Sequence, residues 1–300
     1  MAKKRDVVIA VIIIGSFVVV GMFFLVMMVG MLSTDGEFQF TGLGGSVAVV
    51  DMFGVMDEYS TRPVIRQLER WEDNGSIQAV VIHVQSPGGG VSVSQELYDA
   101  VLRIRDNKPV VVAMGAVAAS GGYYIACAAD RVIANPGTLT GSIGTVMSFH
   151  TYEGLMDKLG INMETIKSGE LKDVGTYSRE MTKREELMLR SVIMDGYEQF
   201  VEVVAEGRDM DKEDVYPLAD GSIFTGSQAY NLGLVDTLGS LRDAIELAAD
   251  LAEMEGEPNV IRPRYRDEIS IFDLLGGFLN RLENKVQGPA AGPSLMYLYQ

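Results

Sequence analysis

The stretch AASGGYY at residues 118–124 decides the fold, because it joins an apolar strand pattern at residues 110–114 to a helix pattern of small residues that ends near Ala129. The hydroxyl of Ser120 is thereby placed at a turn from strand to helix. Unpaired backbone N–H groups and the positive end of a helix dipole at such a turn can hold an oxyanion. We therefore take Ser120 as the candidate nucleophile.

A serine nucleophile needs a base, and the chain has only two histidines, His83 and His150. His83 falls inside a strand pattern and His150 at the end of another, positions that are more typical of structural histidines. Lys172 stands in the segment KSGELKD at residues 167–173. A serine–lysine dyad is therefore the leading hypothesis, and a histidine base ranks below it.

A lysine acts as a base only when its amine is neutral. Its reference pKa of about 10.4 must be lowered by about three units for work at neutral pH. A carboxylate paired with the amine would have the opposite effect, so we expect Glu170 and Asp173, which flank Lys172 closely, to point away from it. Ser142, in TGSIG at residues 140–144, is a candidate to hold the amine by a hydrogen bond.

A second glycine-rich turn, SPGGG at residues 86–90, follows the preceding strand pattern. Taken singly, each turn is more often a plain cap or tight turn than a site. Adjacent strand-turn-helix units deliver both turns to the same edge of a sheet, so the amides of Gly89 and Gly121 could form an oxyanion hole. Glycine also lets a substrate backbone approach closely.

The order of patterns predicts an α/β fold with parallel strands and right-handed crossovers. Strand patterns cover residues 46–53, 79–84, 110–114 and 145–148, and helix patterns cover residues 63–71, 94–105, 152–159, 183–206, 225–229 and 241–254. The long helix at 183–206 carries an apolar stripe. It packs either on its own domain or on a neighbouring subunit, and both alternatives remain open at this stage.

Residues 7–32 contain no charged side chain, and this uncharged stretch is long enough for a transmembrane helix. A cleaved signal peptide is the alternative, but its apolar core is usually shorter. Basic residues precede the span and acidic ones follow it, which predicts a cytoplasmic N-terminus and an extracytoplasmic domain in the cell membrane. We divide the chain into a cytoplasmic end (1–6), the span (7–32), a linker (33–45), a protease domain (46–256) and an amphipathic segment with a tail (257–300).

Composition excludes several classes of function. The formal net charge of −16 argues against binding to nucleic acid and against binding of anionic lipid by a polybasic segment. We therefore expect lipid contact only through the anchor. No metal-ligand spacing or phosphate-binding lysine motif occurs, and we expect no cofactor and no metal. The single Cys127 lies in an apolar helix pattern, which predicts a buried thiol.

Together these motifs resemble the signal peptide peptidase A (SppA) family in its short, single-repeat form. The resemblance runs from about residue 45 to 251 and includes FTG at 224–226 and GLVD at 233–236. It implies a Clp-protease-like, crotonase-type fold, with Ser120 as nucleophile, Lys172 as general base, Ser142 assisting the lysine, and Gly89 and Gly121 in the oxyanion hole. It also implies cleavage of remnant signal peptides by a homo-oligomer whose neighbouring subunits complete the active sites.

Three other functions are alternatives to this reading of the sequence. A related membrane protease could cleave one membrane-protein partner, and a non-catalytic scaffold could use the same fold. An acyl-CoA enzyme of crotonase type is disfavoured by the outward topology. The apolar residues 295–299 are expected to be extended and follow a Pro/Gly-rich linker. They could enter a substrate groove as an internal competitor or self-cleavage site.

Overall fold

A mostly parallel β-sheet organises the folded part of this computed structural model, which describes residues 20–22, 45–263 and 296–298. The strand order is β7-β6-β4-β2-β1-β9, with β5 between β4 and β8. All neighbours are parallel except β6 and β7, and the α/β architecture is confirmed. The strands are β1 Ser46–Phe53, β2 Ile77–Ser86, β3 Gly88–Gly90, β4 Val110–Ala119, β5 Arg131–Ala134, β6 Leu139–Gly141, β7 Ile223–Thr225, β8 Thr237–Leu238, β9 Asn259–Ile261 and β10 Met296–Leu298.

Helices cover both faces of this sheet. They are α1 Glu58–Glu72, α2 Val91–Arg105, α3 Gly121–Ala126, α4 Glu153–Leu159, α5 Lys183–Arg208, α6 Lys212–Val215, α7 Gly226–Asn231 and α8 Leu241–Leu251, with 3-10 turns at Glu170–Asp173 and Tyr216–Leu218. Alternate residues of β1 enter two separate cores: Val47 and Val49 pack with α8, whereas Val50 and Met52 pack with the opposite helices. Burial on both faces is the reason why β1 reads as a continuous apolar run.

The chain divides into two units, residues 1–42 and residues 43–300. In the first unit only residues 20–22 are described, and they are helical. The predicted span at 7–32 and the linker at 33–45 therefore lie almost wholly outside the described residues, as does most of the segment at 257–300. Among the residues that the structure describes, no helix has the length and apolar character that crossing a bilayer requires.

One strand prediction is wrong. Residues 145–148 form no strand, and Val146 makes only a single bridge. The sheet is extended instead by β5 and β6, which come earlier in the chain. The backbone turns at the end of β6, because its last residue, Gly141, and the next residue, Ser142, have φ angles of 80° and 51°. A strand cannot continue through two consecutive residues in the left-handed region. At the other end, β9 pairs with β1, so the sheet extends past residue 256.

Helix α5 packs against the short helix α3 that follows Ser120. A capping box between Thr182 and Glu185 starts α5. Near its end, the ring of Phe200 meets that of Tyr124 edge to face at 5.1 Å, and the backbone of Gly207 approaches Cys127 so closely that a Cβ would lie 2.2 Å from the Cys127 carbonyl oxygen. Cys127 is buried, as predicted, and burial raises the pKa of its thiol to about 12. Helix α5 thus packs on its own domain along this part.

We predict that Phe200→Ala lowers the free energy of unfolding by about 3–5 kcal/mol, because it opens a cavity under α3. Phe200 is fully buried. Chemical denaturation of the two proteins measures the difference. Glu206→Ala, an exposed position two turns further along the same helix, serves as the control and should change stability by less than about 0.5 kcal/mol. Equal effects of the two substitutions would contradict the packing described here.

Candidate active site

Ser120 lies between β4 and α3 in a conformation that non-glycine residues rarely adopt, with φ 54° and ψ −118°. Backbone hydrogen bonds hold it there: its N–H donates to the carbonyl of Gly141 at 2.8 Å, and its own carbonyl accepts from Tyr123 and Tyr124 at 2.9 and 2.8 Å. Strain of this kind persists only where the surroundings over-determine it, and it clusters at functional sites.

The Ser120 side chain is 1% exposed, and its Oγ finds no hydrogen-bond partner among the described residues. Buried hydroxyls without a partner are uncommon and ask for an explanation. One explanation is that the partner belongs to another molecule. The two histidines do not supply it: His83 pairs with Asp51 at 3.2 Å, and exposed His150 stacks near Tyr152.

The two predicted oxyanion glycines are brought together. A Cβ built on Gly121 would lie 3.2 Å from the amide nitrogen of Gly89 and 2.6 Å from the Oγ of Ser94. Glycine is therefore favoured at 121, since a side chain there would crowd the neighbouring turn and displace the Ser94 hydroxyl. The amide of Gly121 directly follows Ser120, so the turn that carries Gly89 approaches the chain immediately after this serine.

Strand β3, which carries Gly89, is bonded along one edge by Met56. The Met56 amide donates to the Gly88 carbonyl at 2.8 Å, and the Gly90 amide donates to the Met56 carbonyl at 2.9 Å. Backbone groups of successive strand residues point to opposite edges. The N–H and C=O of Gly89 therefore face the other edge.

That other edge is occupied by the C-terminal tail of the chain. Residues Met296–Leu298 form β10 and pair antiparallel with β3, with Tyr297 opposite Gly89. Part of the predicted extended segment at 295–299 thus lies as a strand against the edge that carries the Gly89 amide. This is how peptides bind when they add a strand to an exposed sheet edge.

Ser142 is buried and directly follows Gly141, whose carbonyl accepts the hydrogen bond from the Ser120 amide. Its own amide donates to the Ser222 carbonyl at 2.7 Å. A groove of about 520 Å³ opens beside it, lined also by Thr145, Tyr197 and Asp220 among others. Ser142 is therefore on the wall of an accessible groove close to the Ser120 turn.

Lys172 is not brought to Ser120 within one chain. It lies in the 3-10 turn Glu170–Asp173, is exposed, and its amine makes no hydrogen bond or ion pair with any residue in the described part of the chain. The flanking carboxylates bind other cations: Glu170 pairs with Arg184, and Asp173 pairs with Lys167 and Arg179. Neither carboxylate contacts Lys172, in agreement with the expectation that both point away.

Two features of this region escaped the sequence reasoning. Ser86 accepts the Gly88 amide at 3.1 Å and so shapes the SPGGG turn, a role that the Ser-Pro-Gly sequence itself indicates. Glu185 is 1% exposed and binds Arg179, the Thr182 amide and the Thr182 hydroxyl. The pattern Thr-x-x-Glu before a helix would have identified the capping part of this network.

Sequence models of two protease families match this chain. A sequence model of Peptidase family S49 matches residues 103–255, and one of Clp protease matches residues 46–139. The chain belongs to peptidase family S49. The resemblance to the SppA family is thereby confirmed, and the S49 domain contains both Ser120 and Lys172.

Curated relatives of this S49 peptidase bear protease names. A Synechocystis protein that is named a protease is 39% identical over 209 residues, covering 70% of this chain and 75% of the relative. An Enterococcus faecium protein named as signal peptide peptidase SppA is 38% identical, covering 63% of this chain and 56% of the relative. Protease 4 of Haemophilus influenzae is 36% identical over 66% of this chain but only 32% of its own length. The family and these relatives make the chain a serine protease.

Proposed function

We propose that this S49 peptidase is a membrane-anchored endopeptidase in which Ser120 attacks the peptide carbonyl and Lys172 acts as general base. The observation that carries the proposal is the strand Met296–Leu298 laid antiparallel on β3, next to the buried hydroxyl of Ser120. An extended peptide substrate in the same register would be bound by main-chain hydrogen bonds. Its residue opposite Gly89 would present its carbonyl oxygen to the Gly89 amide.

The reaction divides into two displacements. Ser120 Oγ forms a bond to the substrate carbonyl carbon while its proton passes to the neutral Lys172 amine. The oxyanion accepts hydrogen bonds from the amides of Gly89 and Gly121, of which a single well-placed donor contributes roughly 3–4 kcal/mol. The C–N bond then breaks, the lysine returns its proton to the leaving amine, and water hydrolyses the acyl-enzyme by the same route.

The base would come from a second copy of the chain. Among the described residues of one chain, neither Ser120 Oγ nor the Lys172 amine has a partner, so each half of the proposed dyad still needs one. The segment around Lys172 also exposes a row of large apolar side chains that an adjoining copy would cover. They are Leu155, Leu159, Ile161, Met163 and Ile166. An incoming Lys172 could reach Ser142 through the groove that this serine lines.

Remnant signal peptides are the substrates that we infer. The apolar stretch at 7–32 has the length of a membrane anchor, and it would hold the protease domain beside the bilayer where such remnants are released. Signal-peptide cores are apolar, and apolar surroundings also favour the neutral form of a lysine amine. The name of the Enterococcus faecium relative, signal peptide peptidase, supports this substrate class.

Mixing two inactive variants tests the shared dyad. Ser120→Ala and Lys172→Ala should each abolish peptide hydrolysis, because each removes one half of every site. After dissociation and equimolar reassembly, a site with an intact serine from one copy and an intact lysine from another should form in about a quarter of cases by chance pairing, restoring that share of the activity. Peptide turnover measures the recovery, and circular dichroism controls for folding.

Two results would count against the dyad as described. Turnover near the parent rate in Lys172→Ala would exclude the lysine as base. Loss of activity in both variants with no recovery on mixing would place both residues in one chain and exclude the shared site.

The tail should compete with substrate for β3. Tyr297→Pro removes a backbone N–H and disfavours strand pairing, so it should lower KM for a peptide substrate by about twofold or more. Tyr297→Phe keeps the backbone unchanged and is the matched control. Deleting residues 287–300 should have the effect of the proline. Equal KM values in all of these proteins would contradict the competition.

A further inference from the structure

Lys172 lies between two acidic residues, which is an unfavourable place for a lysine that must be neutral. A carboxylate next to an amine favours the protonated amine and so removes the base. The chain nevertheless has Glu170 and Asp173 in the same 3-10 turn as Lys172. Something must therefore engage these carboxylates if Lys172 is to act as proposed above, and the present inference rests on that proposed function.

The carboxylate of Asp173 is engaged by two cations. Lys167 Nζ donates to its Oδ1 at 2.5 Å and Arg179 donates to the same oxygen at 3.0 Å. The hydrogen bond from Lys167, followed by that from Arg179, lowers the pKa of Asp173 below its ordinary value. Asp173 is thus charged and already paired. Its side chain is 14% exposed, so these two cations take the place of much of its water.

Arg179 is itself fixed by a buried carboxylate. Its NH1 and NH2 donate to the two oxygens of Glu185 at 2.9 and 2.6 Å, and such parallel pairs set the orientation of a guanidinium. Glu185 also accepts from the Thr182 amide and hydroxyl at 2.8 and 3.0 Å. These bonds, the one from Arg179 first, lower the pKa of Glu185 to about 2. The start of α5 therefore aims Arg179 at Asp173.

We propose that Arg179 and Lys167 are positioning residues of the protease: they hold the Asp173 carboxylate away from the Lys172 amine, which stays free of a counter-charge. Glu185 anchors the arrangement from α5. Two further carboxylates near this turn also have partners elsewhere: Glu170 pairs with Arg184, and Glu153 of α4 accepts from the Glu180 backbone amide. Within the described residues the amine faces no acidic partner.

The test is the pH profile of kcat/KM, whose acidic limb reports the base of the free enzyme. Lys167→Met removes one cation from Asp173 but leaves the Arg179–Glu185 pair intact, so folding is preserved. The limb should move to higher pH by about half a unit to one unit, which lowers kcat/KM on the limb by about three- to tenfold. The charge-matched double variant Lys167→Met/Asp173→Asn should return the limb to its parent position.

Arg179→Gln and Arg179→Gln/Asp173→Asn form a second pair with the same expectation. Arg179→Lys keeps the charge and should shift the limb least. Melting temperatures of all variants separate a folding defect from a change in the profile. A purely structural ion-pair cluster predicts lower activity at every pH, no shift of the limb and no rescue by Asp173→Asn, and this result would overturn the proposal.

Failure of the positioning role differs from failure of the dyad. If Lys172→Ala is inactive and the limb stays fixed in every variant, Lys172 remains the base and only the role of Arg179 and Lys167 is lost. If Lys172→Ala keeps its activity, the dyad itself is wrong.

Discussion

The close approach of two backbones, at Gly89 and at Gly121, is the constraint on which the site depends. A methyl group at Gly121 would lie only 3.2 Å from the Gly89 amide nitrogen, so the absence of a side chain favours the close approach of the two turns. Parallel strands make the contact possible, because they bring both turns to one edge of the sheet. Ser120 is then held between the Gly141 carbonyl and the start of α3 in a strained conformation.

If Lys172 is the base, as we propose, the same geometry makes one chain an incomplete catalyst. Packing on both faces of the sheet buries Ser120, whereas the segment with Lys172 is largely exposed and carries apolar side chains on its surface. A shared site links catalysis to assembly, since the base would be supplied only after copies associate. The ion pairs of Asp173, Arg179 and Glu185 would give the lysine a fixed approach that does not depend on the partner.

Secondary structure could be predicted from the sequence where a hydrophobic pattern has a single physical cause. Residues 46–53 were predicted as a strand and form β1 with the same bounds, because burial on both faces leaves an uninterrupted apolar run. The prediction failed at 145–148, where a short apolar run follows two residues of positive φ. The sequence placed Gly89 and Gly121 together through the adjacency of their units. It carried no information on the distance from Ser120 to Lys172, which in the shared site that we propose would depend on how copies of the chain meet.

The central claim is that a lysine amine activates Ser120, and reaction with a fluorophosphonate probe tests it most directly. The probe bonds to an activated serine, and peptide mapping by mass spectrometry locates the adduct. We predict an adduct on Ser120 in the assembled protein and its loss in Lys172→Met, in which the fold is retained but the base is absent. An adduct on another serine, no adduct in the parent protein, or equal labelling of Ser120 in Lys172→Met would contradict the account.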